Sequence, residues 1–408
     1  MSLIEVSDRA LYIAFMAYLV ATFLFGGAIQ PSKQHVPARA QKWGKLAIII
    51  TIVGFIANLT YFITRWMYTG HAPVSNMFEF TTAFGMFLVL AFIVIYFMYK
   101  VSALGVIALP IALLIIGYAA MFPSETSPLV PSLQSDFLAV HVITAALGQS
   151  ILSISAVAGI LYLLKDVDLS VKTKSRFWLE VVMYVCVVVV GFIIATISFN
   201  VAGVEKSYQF VNNEGNVQVE TYHMPTLFLF EDAVIVEKEE NEKGKMVWVE
   251  TGEEVGSAVQ LPPLFNSLQF TTVTWSLLFG TILYGLIRLL TRRSITALMK
   301  PLMKRVDLTL VDEIGYRSVL IGYPVFTLGA LIFAAMWAQI AWGRYWGWDP
   351  KEVWALITWL FYAAFLHLRL SKGWEGRKSA WLAIVGFAIV MFNLVAVNLI
   401  IAGLHSYA

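Results

Sequence analysis

The chain has 408 residues, 59% of them hydrophobic and only 13% charged, with a formal net charge of +2 and a mean hydropathy of +0.76. A soluble chain of this length closes a core without such an apolar excess, so the composition indicates an integral membrane protein. The sequence carries no internal repeat, no phosphate-binding glycine loop and no nucleic-acid-binding pattern. The single cysteine, Cys186, lies within an apolar run, which excludes an internal disulfide and any thiol relay built on paired cysteines.

Ten apolar stretches are each long enough for one helical crossing. They cover roughly 10–29, 46–64, 77–99, 102–121, 138–164, 178–200, 269–290, 317–341, 353–370 and 380–404. Pro110 interrupts the fourth, a break that packing against neighbouring helices can absorb. The expected fold is an all-α polytopic membrane protein. Crossings 1–6 fall in residues 1–200, a soluble insert occupies 201–268, and crossings 7–10 fall in 269–408. The N-terminus lacks the basic region and small-residue cleavage site of a signal peptide, so the first crossing is expected to be retained.

Orientation follows from Lys and Arg. The loop 30–45 carries Lys33, Arg39, Lys42 and Lys45, and alternate loops carry most of the remaining basic residues. Placing that loop in the cytoplasm puts 20 of the 28 basic residues on the same side. Both termini and the insert then face away from the cytoplasm.

In chain order, His71 opens the outer segment HAPVSNMFEF, and Glu79 follows just inside the third crossing, where an acid is expected to serve a function. Its partner is left open between Arg65 and Arg344. His141 begins the fifth crossing at the outer side. The insert 201–268 holds twelve acids against four lysines, and its alternating runs 208–211 and 217–222 flank a turn-like Asn-Asn-Glu-Gly-Asn. It reads as a small extracytoplasmic β-rich cap or a partly mobile loop, whose acidity suits either a basic partner or plain solvation. His35, in a basic loop, and His223, in the insert, read as surface residues.

Residues 342–359 read WGRYWGWDPKEVWALITW, and six of the thirteen Trp residues lie between Trp337 and Trp359. Interfacial tryptophans anchor membrane helices. An ordinary belt, however, spreads one or two over each helix end. So much indole in one loop, mixed with charge, suggests a shelf for a large planar ligand, and haem is the candidate. His405 closes the tenth crossing at the same outer level as His141 and the loop, which is what bis-imidazole ligation of a haem iron requires. His367 lies near the cytoplasmic end of the ninth crossing, with no second histidine at its depth. As a ligand it needs a partner from another polypeptide; otherwise it is an interfacial residue beside Arg369. Arg344 and Lys351 are the electrostatically sensible contacts for propionates, and Pro350 stiffens the loop.

The run WAQIAWGRYWGWDPKEVWALITW resembles the tryptophan-rich "WWD" signature of haem-handling proteins, specifically the CcsA/ResC branch of the System II cytochrome c synthetase. HAPVSNMFEF, PLVPSLQSDFLAVHV, FLHLRLSKGWEGRKSAW and the closing GLHSYA match as well. The insert matches no motif. The resemblance implies a haem b site on the loop 337–359, involving Trp337, Trp342, Arg344, Tyr345, Trp346, Trp348, Asp349, Lys351 and Trp354. His141 and His405 would be the axial ligands of this outer site, and His71 and Glu79 outer-loop contributors. His367 would serve an inner site completed by a CcsB/ResB-like subunit. It also implies thioether attachment of haem to a Cys-X-X-Cys-His segment of apocytochrome c, with a thiol-reducing protein as a further partner. The membrane would be a bacterial cytoplasmic or thylakoid-type one. Two rivals remain open: a haem exporter or chaperone without ligation activity, and a quinone-linked redox subunit, which would place histidine pairs within one helical bundle.

Overall fold

The computed structural model of the chain describes residues 2–29, 38–120, 122, 124, 126, 134–211, 217–230, 233–240, 246–252, 259–261 and 267–400. Twelve α-helices appear among them: α1 (Leu3–Ala28), α2 (Ala38–Thr69), α3 (Met77–Tyr99), α4 (Ser102–Ala119), α5 (Asp136–Asp166), α6 (Lys174–Val201), α7 (Ser267–Thr291), α8 (Ile295–Met299), α9 (Leu308–Thr327), α10 (Ala334–Trp342), α11 (Pro350–Lys372) and α12 (Arg377–Ile400). A π-helical segment, Leu328–Phe333, joins α9 to α10 into one rod. Ten helices are long and apolar enough to cross a membrane, with α9, the π segment and α10 counted together and the short α8 left out. The expected all-α polytopic membrane fold is what forms.

The helix ends follow local chemistry that hydropathy alone misses. The first helix starts at Leu3 rather than near residue 10. Ser2 and Glu5 form a capping box, in which each side chain binds the other's backbone N–H. Ser135 caps α5 through the Phe137 N–H. Pro110 sits inside α4 without ending it. The tenth crossing is described only to Ile400.

The chain divides into two compact units, residues 1–179 with 296–408, and residues 180–295. In the second unit, β1 (Lys206–Val211), β2 (Val217–Tyr222), β4 (Val234–Glu240) and β5 (Met246–Glu250) form an antiparallel sheet in the order β2-β1-β4-β5. A parallel pair joins β3 (Phe228–Phe230) to β6 (Val259–Leu261). The expected β-rich insert is therefore present, and its 208–211 and 217–222 runs pair antiparallel. The turn between them, 212–216, lies outside the described residues.

In the first unit, α5 packs on α9 through small residues. A Cβ on Gly148 would fall 2.5 Å from the Phe326 backbone nitrogen, and one on Gly329 would collide with the backbone of Ala145. Close backbone approach of this kind takes the place of hydrophobic burial between helices in lipid. On the far side of α5, Gly159 lies against the Ala380 carbonyl of α12.

One ion pair ties α2 to α3. Arg65 Nε is 2.7 Å from Glu79 Oε1, with the two side chains 0% and 1% exposed. Arg65 Nη2 also donates to the Ser124 carbonyl at 2.7 Å, and its guanidinium lies over the Phe78 ring. Glu79 Oε2 accepts from both the Ser75 N–H and its hydroxyl. Glu79 thus pairs with Arg65, not Arg344, and fixes the segment 72–76 that leads into α3. Removing one member of a buried pair strands the other charge and costs roughly 3–5 kcal/mol. Glu79→Ala should therefore lower the thermal unfolding midpoint sharply in detergent, while Arg65→Met with Glu79→Leu should recover most of the loss. An unchanged midpoint for Glu79→Ala would show that the pair does not hold the helices.

Candidate functional site

His141 stands on the second turn of α5, and its Nδ1 lies 2.9 Å from the carbonyl oxygen of Gly329. A carbonyl only accepts, so Nδ1 carries the proton, and whenever the ring is neutral the lone pair lies on Nε2. The acceptor belongs to the π segment. There the Gly329 carbonyl also takes the N–H of Ala334, five residues on. Wide π turns misalign carbonyls from the helix axis and recur at functional sites. Trp337, 2% exposed, stacks on the imidazole with ring centroids 5.8 Å apart and planes 13° apart. Trp342 meets Trp337 edge-on at 4.7 Å.

These groups line a cavity of about 210 Å³. His141, Trp337, Trp342, Lys351 and Glu352 lie on its wall, together with alanines 145, 330, 334 and 338 and the rings of Phe80 and Phe326. Ser75, Asn76 and Met77, from the segment that Glu79 holds, complete it. A ring nitrogen with a fixed lone pair beside a stacked indole, in an apolar slot, suits a flat metal-bearing ligand.

The tryptophans do not form one continuous shelf. Trp337 and Trp342 face the cavity, whereas Tyr345 and Trp348 are 65% and 70% exposed. Trp346 is half-buried and packs edge-on against Trp348 at 6.0 Å. Trp354 packs on Phe392, and Trp359 stacks on Tyr323 while donating to the Thr327 hydroxyl. The Arg344 guanidinium lies over Gly347, and Lys351, not Arg344, lines the cavity.

Asp349 has a local task. It accepts from the Lys351 N–H, and Glu352 accepts from the N–H groups of Asp349 and Gly347. With Pro350 in the first turn, Asp-Pro-Lys-Glu is a capping box that starts α11. It also braces Trp348, whose φ of +57° is strained for a bulky side chain.

The remaining histidines separate. His71 Nδ1 donates to the Ala72 carbonyl, and His71 lines a second cavity of about 630 Å³ with Trp66, Tyr68 and Asp136. His367 is exposed on α11, and its neighbour Arg369 pairs with Asp312 of α9 at 2.7 Å. His223 is exposed. His35 and His405 lie outside the described residues. Sequence reasoning passed over Gln149 and Asn393, which also line the His141 cavity; a carboxamide inside an apolar crossing was the available signal.

Comparison with known proteins agrees with this architecture. Residues 268–405 match the family described as cytochrome C assembly protein, and relatives that align with most of the chain place this membrane protein in the class of cytochrome c biogenesis proteins. Cytochrome c biogenesis protein CcsA of Rippkaea orientalis is 31% identical over 86% of this chain and 85% of the relative. That of Nostoc punctiforme is 29% identical over 97% and 96%, and that of Porphyra purpurea 28% over 94% and 95%. The chain belongs to the CcsA family of cytochrome c biogenesis proteins. A solved structure, cytochrome c heme lyase CcmF, gives a TM-score of 0.46 at 13% identity over 98% of this chain and 50% of that one, a likeness too remote to bear on function.

The tautomer of His141 can be measured. In bilayers, ¹⁵N-histidine NMR with His141→Ala for assignment should show Nδ1 protonated and Nε2 bare. Gly329→Ala, which forces α5 from the π segment, should lose that pattern. A protonated Nε2 with a bare Nδ1 in the unaltered chain would contradict the geometry.

Proposed function

We propose that the chain serves cytochrome c biogenesis by binding haem b, presenting it at the extracytoplasmic face and, with a CcsB/ResB-like membrane subunit, promoting its thioether attachment to apocytochrome c. It is then one subunit of a cytochrome c synthetase, or haem lyase, and ligation requires the partner. The observation that carries this reading is the tautomer-fixed imidazole of His141 stacked on Trp337 in an apolar cavity. A backbone carbonyl on the far ring nitrogen is how metal-binding histidines are oriented and made more basic. His405, from the opposite end of the fold's sequence, supplies the second axial imidazole. His367, exposed within its span, serves the inner site, and its iron takes a second ligand from the partner.

The cavity, about 210 Å³, falls below the roughly 300–1,000 Å³ that encloses a drug-sized ligand. It grips part of a macrocycle and leaves an edge at the mouth. Ligation needs that edge open. The thiol S–H of the apocytochrome segment adds across a haem vinyl, sulfur bonding the ring-side carbon and hydrogen the terminal carbon, with no oxidant consumed. Both thiols come from the substrate, kept reduced by a thiol-reducing protein, so the lone Cys186 in α6 has no part in the step. The chain contributes position and orientation, a source of large rate gains. The basic loops face the cytoplasm, and the tryptophan-rich loop and both termini the opposite side.

A reduced-minus-oxidised spectrum of the purified chain, alone and with the co-expressed partner, tests this reading. The unaltered chain should show a haem b signal that grows with the partner. His141→Ala should lose most of it, with partial recovery in free imidazole. Trp342→Ala should weaken it more than Trp43→Ala, and His367→Ala should matter only with the partner present. A colourless chain and partner, or identical spectra for His141→Ala and the parent, would overturn it.

A further inference from the structure

The cavity beside His141 continues along α5 past the imidazole. Gln149 lies eight residues beyond His141 on α5, about 12 Å farther along the helix axis, and lines the same cavity. Asn393 lines it from α12. Gln149 is 8% exposed, and among the described residues neither carboxamide has a hydrogen-bond partner. A carboxamide holds two N–H donors and a carbonyl acceptor. Neither is among the side-chain polar groups that are buried without a partner, so both open onto the cavity, and two carboxamides in an apolar wall suit an occupant that both accepts and donates. A carboxyl group matches. Its carbonyl takes an amide N–H, and in the protonated form its O–H donates to an amide oxygen, so no ion need be buried.

The mouth offers a poorer site for an acid. Lys351, the one Lys or Arg among the described residues lining this cavity, shares the first turn of α11 with Glu352 and the cap Asp349. An added carboxylate there would face two others.

We infer that Gln149 and Asn393 form a carboxyl subsite, so that the porphyrin proposed above, on which this inference rests, stands propionate edge inward and vinyl edge toward the mouth. The carboxyls then lie away from Arg344 and Lys351, the cations that the sequence alone suggests. The vinyl carbons lie where a peptide thiol from outside reaches them, and the acids lie where no peptide has to go.

Haem b and its propionate dimethyl ester distinguish the two ends, titrated into the purified full chain and followed by the Soret band. The ester keeps the iron, the ring and the vinyls but cannot donate. The unaltered chain should prefer the diacid by about tenfold, the scale of one or two net hydrogen bonds. Gln149→Leu with Asn393→Leu should bring that ratio close to one. Equal affinity of the unaltered chain for diacid and ester overturns the subsite without any variant. So does a preference that survives in a folded double variant. If the ester and the diacid both bind but His141→Ala leaves the spectrum unchanged, the haem-site reading fails instead.

Discussion

The hydrogen bond from His141 to the Gly329 carbonyl depends on two departures from regular structure. One is the π segment Leu328–Phe333, whose i+5 bonding turns the Gly329 carbonyl to serve both Ala334 and the imidazole. The other is the missing side chain at Gly329, which lets the π segment approach the α5 backbone beside Ala145 closely enough for the ring to reach. With either absent, the imidazole would lose its fixed orientation. The π segment also sets the rotation of the residues after it. A helix advances by about 100° per residue, so the phase at which α10 begins decides whether Trp337 and Trp342 face His141 or the lipid. One local irregularity therefore places both the polar and the aromatic parts of the cavity.

The tryptophan-rich loop has a division of labour that composition hides. Its acids start a helix: Asp349 and Glu352 are committed to backbone N–H groups, which holds Trp348 in a left-handed conformation. Its indoles serve different neighbours, some in the cavity, some in helix packing and some at the surface. The Arg65–Glu79 pair acts from the other side, holding Ser75 and with it the wall formed by residues 74–77. The cavity is thus bounded by segments locked by their own short-range polar contacts, and Val74, Phe80 and Val142 of its wall also belong to one hydrophobic cluster with Phe78 and Ala146.

The crossings were legible because lipid demands long apolar runs with satisfied backbones, and few sequences meet that demand by accident. Helix starts were less so: Ser2 with Glu5 and Asp349 with Glu352 act through side-chain contacts that a hydropathy window averages away. His141 and its level beside the loop could be read from alternation of the crossings. Its bond to Gly329 could not, because the two lie 188 residues apart and a π turn has no sequence signature of its own. The single shelf expected of the tryptophans separated for a similar reason. Spacing places Trp354 and Trp359 near the loop, but their helix faces turn them to Phe392 and Tyr323. Gln149 and Asn393 went unnoticed because neither residue type belongs to a recognisable motif.

Tyr345 and Trp348 stand largely bare at the tip of the loop. Amphipathic rings in such a position settle at headgroup depth, so in a bilayer the two would act as a float on the loop that leads into α11. Bilayers of different thickness would ride at different heights along the same helices, and the float would tie the loop to the lipid surface wherever that surface lies. Access for an incoming polypeptide would then be governed by the lipids as well as by the protein.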